Sequence, residues 1–150
     1  MDNELLRILE DYVEKVGIEK AKDSLESLLP KDLDDRTLTI IANSGIHEIP
    51  KHYLRGEVYA ASSGSIDFTS IETLHLAYRT ILEKLLQKLK ERQWTKVYLI
   101  PTGHCTLALQ IKLFVYHILR IDTIDLFYNK GNYFEIAIDH RKVATNSDHS

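Results

Sequence analysis

Residues 97–119 read VYLIPTGHCTLALQIKLFVYHIL. The first five, Val97 to Pro101, suit a buried strand, because apolar, β-branched and aromatic side chains pack well on a pleated surface. A small polar loop of Thr102, Gly103, His104 and Cys105 follows, and from Thr106 apolar residues crowd into a helix that runs to Leu119. A strand that feeds through a short loop into an apolar helix is the repeating corner of parallel α/β sheets. Such a corner collects free backbone N–H groups and the positive end of a helix at one point, where anions and nucleotides are commonly held.

The sequence on either side supports the same architecture. Upstream, Leu38, Ile40 and Ile41 form a short β-rich run from Thr37, ending at Ala42, Asn43, Ser44 and Gly45. A brief helix is expected over 48–54 around Pro50, and a second strand over 57–61, broken by Ser62, Ser63, Gly64 and Ser65. Thr69 and Glu72 have the spacing of a capping box, and Ile71, Leu74, Tyr78, Ile81, Leu82, Leu85 and Leu89 carry a long helix from there to about Gln93. Lys84, Lys88, Lys90 and Arg92 fall late in that helix, where positive charge suits the C-terminal end. Downstream, strands are expected over 121–128 and 133–139. The turn Asn129-Lys130-Gly131-Asn132 between them makes them a hairpin.

Leu5, Leu9, Tyr12, Val13 and Val16 recur at helical spacing, Gly17 interrupts, and Ile18, Ala21, Leu25, Leu28 and Leu29 continue as far as Pro30. This predicts a helical hairpin or a kinked helix, serving as a cap on the core or a dimerisation arm. The expected fold class is therefore α/β: a compact Rossmann-like, mainly parallel sheet with a C-terminal hairpin and an N-terminal helical pair. The helical pair would occupy 1–30, the Rossmann-like domain 37–140 and a flexible tail without apolar periodicity 141–150.

Composition narrows the function. A chain of 150 residues that is 44% hydrophobic and 27% charged suits one globular domain with a real core. A net charge of −3 argues against a general duplex-DNA surface, which needs a basic excess, although a few local N–H groups can still hold a small anion. The single cysteine rules out an internal disulfide and fits a reducing compartment. The start, 1–10, is acidic and amphipathic rather than basic and then apolar, and the uncharged apolar runs fall short of a membrane span. A cytoplasmic protein without membrane association is the expectation.

Three loops are rich in small polar residues: Asn43-Ser44-Gly45, Ser62-Ser63-Gly64-Ser65 and Thr102-Gly103-His104-Cys105. Each follows an expected strand, so parallel strands would bring all three to one carboxyl edge, where open α/β folds bind ligands. Glycine permits close backbone approach there, and hydroxyls can hydrogen-bond phosphate or ribose oxygens. Small polar residues also simply make tight turns. Neither GxGxxG nor a Walker A loop is present, so ordinary dinucleotide or triphosphate binding has no fingerprint. His104-Cys105 is similar to the loop of cysteine phosphatases, but the arginine such a loop needs is replaced by Ile111. Cys105 reads better as a small hydrophobe packed at the helix start. His104 could donate to a phosphate or assist attack on one, or be an ordinary turn histidine. The remaining histidines (47, 52, 75, 117, 140 and 149) form neither HExxH nor a paired Cys/His pattern, so no metal site and no cofactor is expected. The 106–119 helix is apolar on nearly every side, which calls for a second cover. Either a partner subunit supplies it, giving a homodimer or larger homo-oligomer, or the helix is buried between the sheet and the N-terminal pair.

The run from Thr37 to Asp139 resembles the cyclic-oligonucleotide sensor domains of bacterial defence systems, the SAVED and CARF families. The similar features are TLTIIANSG, TKVYLIPTG, the LALQIKLFVYHIL helix and the closing hairpin DTIDLFYNKGNYFEIAID. The resemblance implies binding of a cyclic oligonucleotide made by a defence polymerase, in signalling of the CBASS or type III CRISPR kind. Carried onto this sequence, the ligand contacts would be Ser44, Gly45, Ser63, Gly64, Thr102, Gly103 and His104. SAVED domains hold two CARF-like halves and are usually fused to an effector, whereas one half is present here. Two copies could pair to build a pocket, or the effector could be a separate subunit. A stand-alone ring nuclease is the enzymatic alternative, with His104, Ser63 and Lys130 as its residues and in-line attack of a ribose 2′-hydroxyl as its step. An interaction subunit that binds no nucleotide is the third possibility.

Overall fold

The computed structural model describes residues 3–28, 35–45 and 47–147. The chain divides into two compact units, Met1–Leu33 and Asp34–Ser150. In the first, α1 (Asn3–Val16) and α2 (Ile18–Leu28) are separated by Gly17 at φ +89°. That left-handed backbone suits a residue without a Cβ and closes a helix end; the Gly17 N–H donates to Val13 O. The expected end of α2 at Pro30 lies outside the described residues.

The second unit runs β1 (Thr37–Ile41), β2 (Glu57–Ala60), α3 (Ile71–Lys90), β3 (Lys96–Ile100), α4 (Cys105–Leu119), β4 (Ile124–Asn129), β5 (Asn132–Ile136) and α5 (His140–Ser147). Its five strands form one sheet in the order β2-β1-β3-β4-β5. The first four are parallel, and β5 returns antiparallel to β4. This is a compact Rossmann-like α/β fold.

Strand alternation sorts the core into two faces. Leu38, Ile40, Val97 and Leu99 point to one face, where they pack with Leu85 and Leu89 of α3 and Leu107, Ile111 and Val115 of α4. The intervening Ile41, Tyr98 and Ile100 point to the other, with Leu126 of β4. The handedness rule explains this division. The steps β2→β3 and β3→β4 move across the sheet in the same direction, so right-handed crossovers place α3 and α4 on the same side. The step β1→β2 runs the opposite way. Its connection, 42–56, lays Ile49, Tyr53 and Leu54 on the second face. Among its described residues, that connection forms a 3₁₀ turn over Lys51–Tyr53 after Pro50, shorter than the helix expected over 48–54.

Other local expectations shift for identifiable reasons. The α3 capping box is made by Ser70 and Thr73, not Thr69 and Glu72. The Thr69 N–H is already held by Asp67 Oδ1 (2.8 Å), while Ser70 Oγ accepts from Thr73 N–H (3.1 Å). Strand β4 starts at Ile124 rather than 121, because α4 ends on Arg120 at φ 60° and buried Thr123 turns its hydroxyl to Asp125 Oδ1 (2.6 Å). The hairpin turn falls where expected, with Lys130 at φ 50° and Gly131 at φ 84° giving the primed geometry that matches strand twist. The expected irregular tail is instead the helix α5, capped by Asp139 Oδ1 accepting from Lys142 N–H (3.1 Å). That cap signal lay in the sequence, masked by the absence of an apolar stripe behind it. The last three positions of the expected tail, 148–150, lie outside the described residues.

Candidate functional site

Strand order reverses between β1 and β3: the chain leaves β1 outward for β2, then crosses back to β3 on the other side. In open α/β sheets this switch point spreads two loops apart at the carboxyl edge and leaves a crevice. The three polar loops do meet at this edge. Ala42 N–H donates to Ile100 O (3.0 Å), Ala61 N–H to Ile41 O (2.8 Å) and Ser44 N–H to Ser62 O (2.9 Å), and Ser44 forms a parallel bridge with Ser63.

Asn43, which sequence reading placed in a loop without a role, ties the three together. It is buried, its backbone N–H donates to Thr102 Oγ1 (3.1 Å), and its backbone carbonyl accepts from the same hydroxyl (2.5 Å). Its Nδ2 donates to Gly64 O (2.9 Å). The Thr102 hydroxyl is thus engaged in holding the loops in register.

Two recesses around this edge hold five of the expected site residues, three in the first and two in the second. The first, about 880 Å³, is lined by Thr102, Gly103 and His104 from the β3–α4 loop, by His47, Glu48 and Pro50 from the β1–β2 connection, and by Phe127, Tyr128, Gly131 and Tyr133 from the hairpin, over a floor of Ile100, Pro101 and Leu126. The second, about 800 Å³, contains Ser44 and Ser63 together with Ser62, Ser65, Asp67, Thr73 and Lys84. Gly45, Gly64 and Lys130 line neither of these two. His104, Ser63 and Lys130 therefore do not share one recess. His47, Glu48 and the hairpin aromatics were missed because nothing in their local sequence ties them to an edge formed by distant strands.

His104 is the N-cap residue of α4 and lends no side-chain cap; its carbonyl accepts from Leu107 and Ala108 N–H. The exposed imidazole makes an edge contact with Phe68 (4.1 Å between centroids) from the β2–α3 loop. Gly103 and His104 line the first recess immediately before the first turn of this helix, where N–H groups lack intrahelical partners. Cys105 is exposed, not packed as a core hydrophobe: Leu107 and Ala108 take the inward positions of that turn. On the facing wall, burial raises the Tyr133 hydroxyl above its ordinary pKa, reinforced by neighbouring Tyr128 and Tyr53. In the second recess, the Thr69 backbone N–H holds the Asp67 carboxyl below its usual range. No group of three His, Cys, Asp or Glu side chains that could hold a metal ion occurs among the described residues, and no helix there is long and apolar enough to cross a membrane.

The fold and the site together define a Rossmann-like α/β domain with a crevice at its topological switch point. No family model, curated protein or solved structure matches the chain.

Proposed function

We propose that this protein is a cytoplasmic sensor that binds a cyclic oligonucleotide second messenger at the carboxyl edge of its sheet, within an antiviral signalling system. The observation that carries this reading is the recess of about 880 Å³ at the switch point, lined by Gly103 and by His104, the N-cap residue of α4. Backbone N–H groups and a helix N-terminus favour phosphate, and the volume falls in the range of small-molecule and cofactor sites. The ligand is held intact in this reading, since Ser63 faces a different recess from His104. A homo-oligomer, or a docked effector subunit, would cover Leu109 and Leu113, which stand exposed on α4.

A melting-shift panel of cyclic di-, tri- and tetranucleotides, followed by chromatography of any hit, tests the proposal. A binding messenger stabilises the folded protein by mass action, by about 2.7 kcal/mol at a hundredfold excess over Kd, and so raises the melting point. Recovered ligand should be unchanged, and His104→Ala should weaken binding with little effect on folding. Linear products would convert the assignment to a ring nuclease. No shift across the panel would remove nucleotide binding and leave an interaction subunit.

A further inference from the structure

The two walls of the crevice differ in chemistry. One is the Gly103-His104 corner, which ends at the N-cap of α4; the other is the β4–β5 hairpin, which presents aromatic rings. Tyr128 and Tyr133 are direct cross-strand partners, with ring centroids 5.2 Å apart and planes inclined by 60°. Tyr133 in turn rests against Tyr53 of the β1–β2 connection, 5.0 Å away and also at 60°. Tyr133 is half-buried in this arrangement, but Tyr128 keeps 59% of its surface exposed. The tight turn that follows holds Tyr128 on a fixed hairpin rather than a long loop. An open ring braced from behind loses little freedom when a second ring stacks on it.

Building on the nucleotide reading above, we infer that Tyr128 is the base-stacking residue of this site, positioned by Tyr133 and Tyr53. The crevice then selects ligands that join an anionic group to a flat aromatic ring, and discriminates against sugar phosphates that lack the base. Stacking of this kind is worth about tenfold in affinity or more per base.

Adenosine 5′-monophosphate and ribose 5-phosphate differ only by the base, so their titration into the protein, followed by NMR, isolates this contribution. The nucleotide should bind about tenfold more tightly, with ring-current shifts on the Tyr128 ring protons. Tyr128→Leu should reduce its affinity to that of ribose 5-phosphate, and Tyr128→Phe should restore the preference, which a merely structural tyrosine would not require. Equal affinities in the wild type, or a Tyr128 ring that does not respond to the nucleotide, would overturn the inference. The underlying reading fails separately. Shifts at Gly103 and His104 without a base preference would leave the anion end standing and remove the stacking, whereas shifts confined to the hairpin would do the reverse.

Discussion

The two faces of the sheet are closed by different means. On one, α3 and α4 pack fully buried Leu85, Leu107, Ile111 and Val115 against Leu38, Ile40 and Leu99. On the other, the 42–56 connection contributes Ile49, Tyr53 and Leu54, and a polar latch joins it to the sheet. The Arg55 guanidinium lies over the Tyr98 ring (5.0 Å), donates to the Tyr98 hydroxyl (2.8 Å) and pairs with Glu135 across the sheet (2.6 Å). Its neighbour Thr39 accepts from Arg55 N–H and donates to Arg55 O. The two faces divide the labour: the helix-covered face supplies cohesion by burying apolar surface, while the face closed by the 42–56 connection leaves room for a crevice at its carboxyl edge.

Substitutions placed on one face at a time test this division. The largest effect is expected from Ile111→Ala, which opens a cavity in the helix-covered core and should cost about 2–5 kcal/mol in denaturant unfolding. A loss below about 1 kcal/mol would show that α4 contributes little to cohesion. Next is Gly56→Ala, where the second-face connection enters β2. A Cβ there would lie 2.2 Å from Thr37 O, at φ +65°, so a loss of at least about 1–3 kcal/mol is expected. Gly64→Ala is the control: its φ is +72° but nothing lies within 4 Å of the added carbon, so only the backbone strain of about 1–2 kcal/mol should register.

Arg55→Met tests the latch. The ion pair is half-exposed and the cation–π contact is of the ordinary kind, so the change in global stability should be about 1 kcal/mol. Amide exchange over 47–54 should nonetheless quicken, while that of α3 and α4 stays unchanged. Uniform exchange across both faces would refute the division. The smallest effect concerns pH on the helix-covered side. A hydrogen bond from Lys88 holds the Glu57 carboxyl below its ordinary range against the opposing effect of burial, and the charges of Lys88 and Arg92 assist. With the folded value lowered, this contribution is complete above the ordinary carboxylate range and is lost as pH falls through the lowered value. Glu57→Gln should therefore flatten the acid limb of the stability profile slightly and leave the neutral region little altered apart from a constant offset.

Much of this architecture was legible in the sequence because it rests on short-range physics. The alternation of Leu38, Ile40, Val97 and Leu99, the 3.6-residue spacing in α3, and Asn129-Lys130-Gly131-Asn132 each specify local structure without help from elsewhere. Errors arose where local signals competed. Asp67 took the Thr69 N–H and moved the cap to Ser70, and Asp139 capped a helix that has no apolar stripe. The site was only half legible. Gly103 and His104 could be named because a strand-to-helix corner is written in consecutive residues, but Tyr128, Tyr133, His47 and Glu48 could not.

By itself, then, the sequence determined the five strands, the helices that carry an apolar stripe, their approximate limits and the carboxyl-edge gathering of three polar loops, since hydrophobic period and turn chemistry act over a few residues. Tertiary structure alone decided that Ser44 and Ser63 turn toward one recess while His104 shares another with the hairpin tyrosines. It also made Asn43 the tie between loops rather than a turn residue. The physical reason is that strand order and crossover hand set which distant segments become neighbours, and no local pattern of residues encodes the direction of the β1→β2 step.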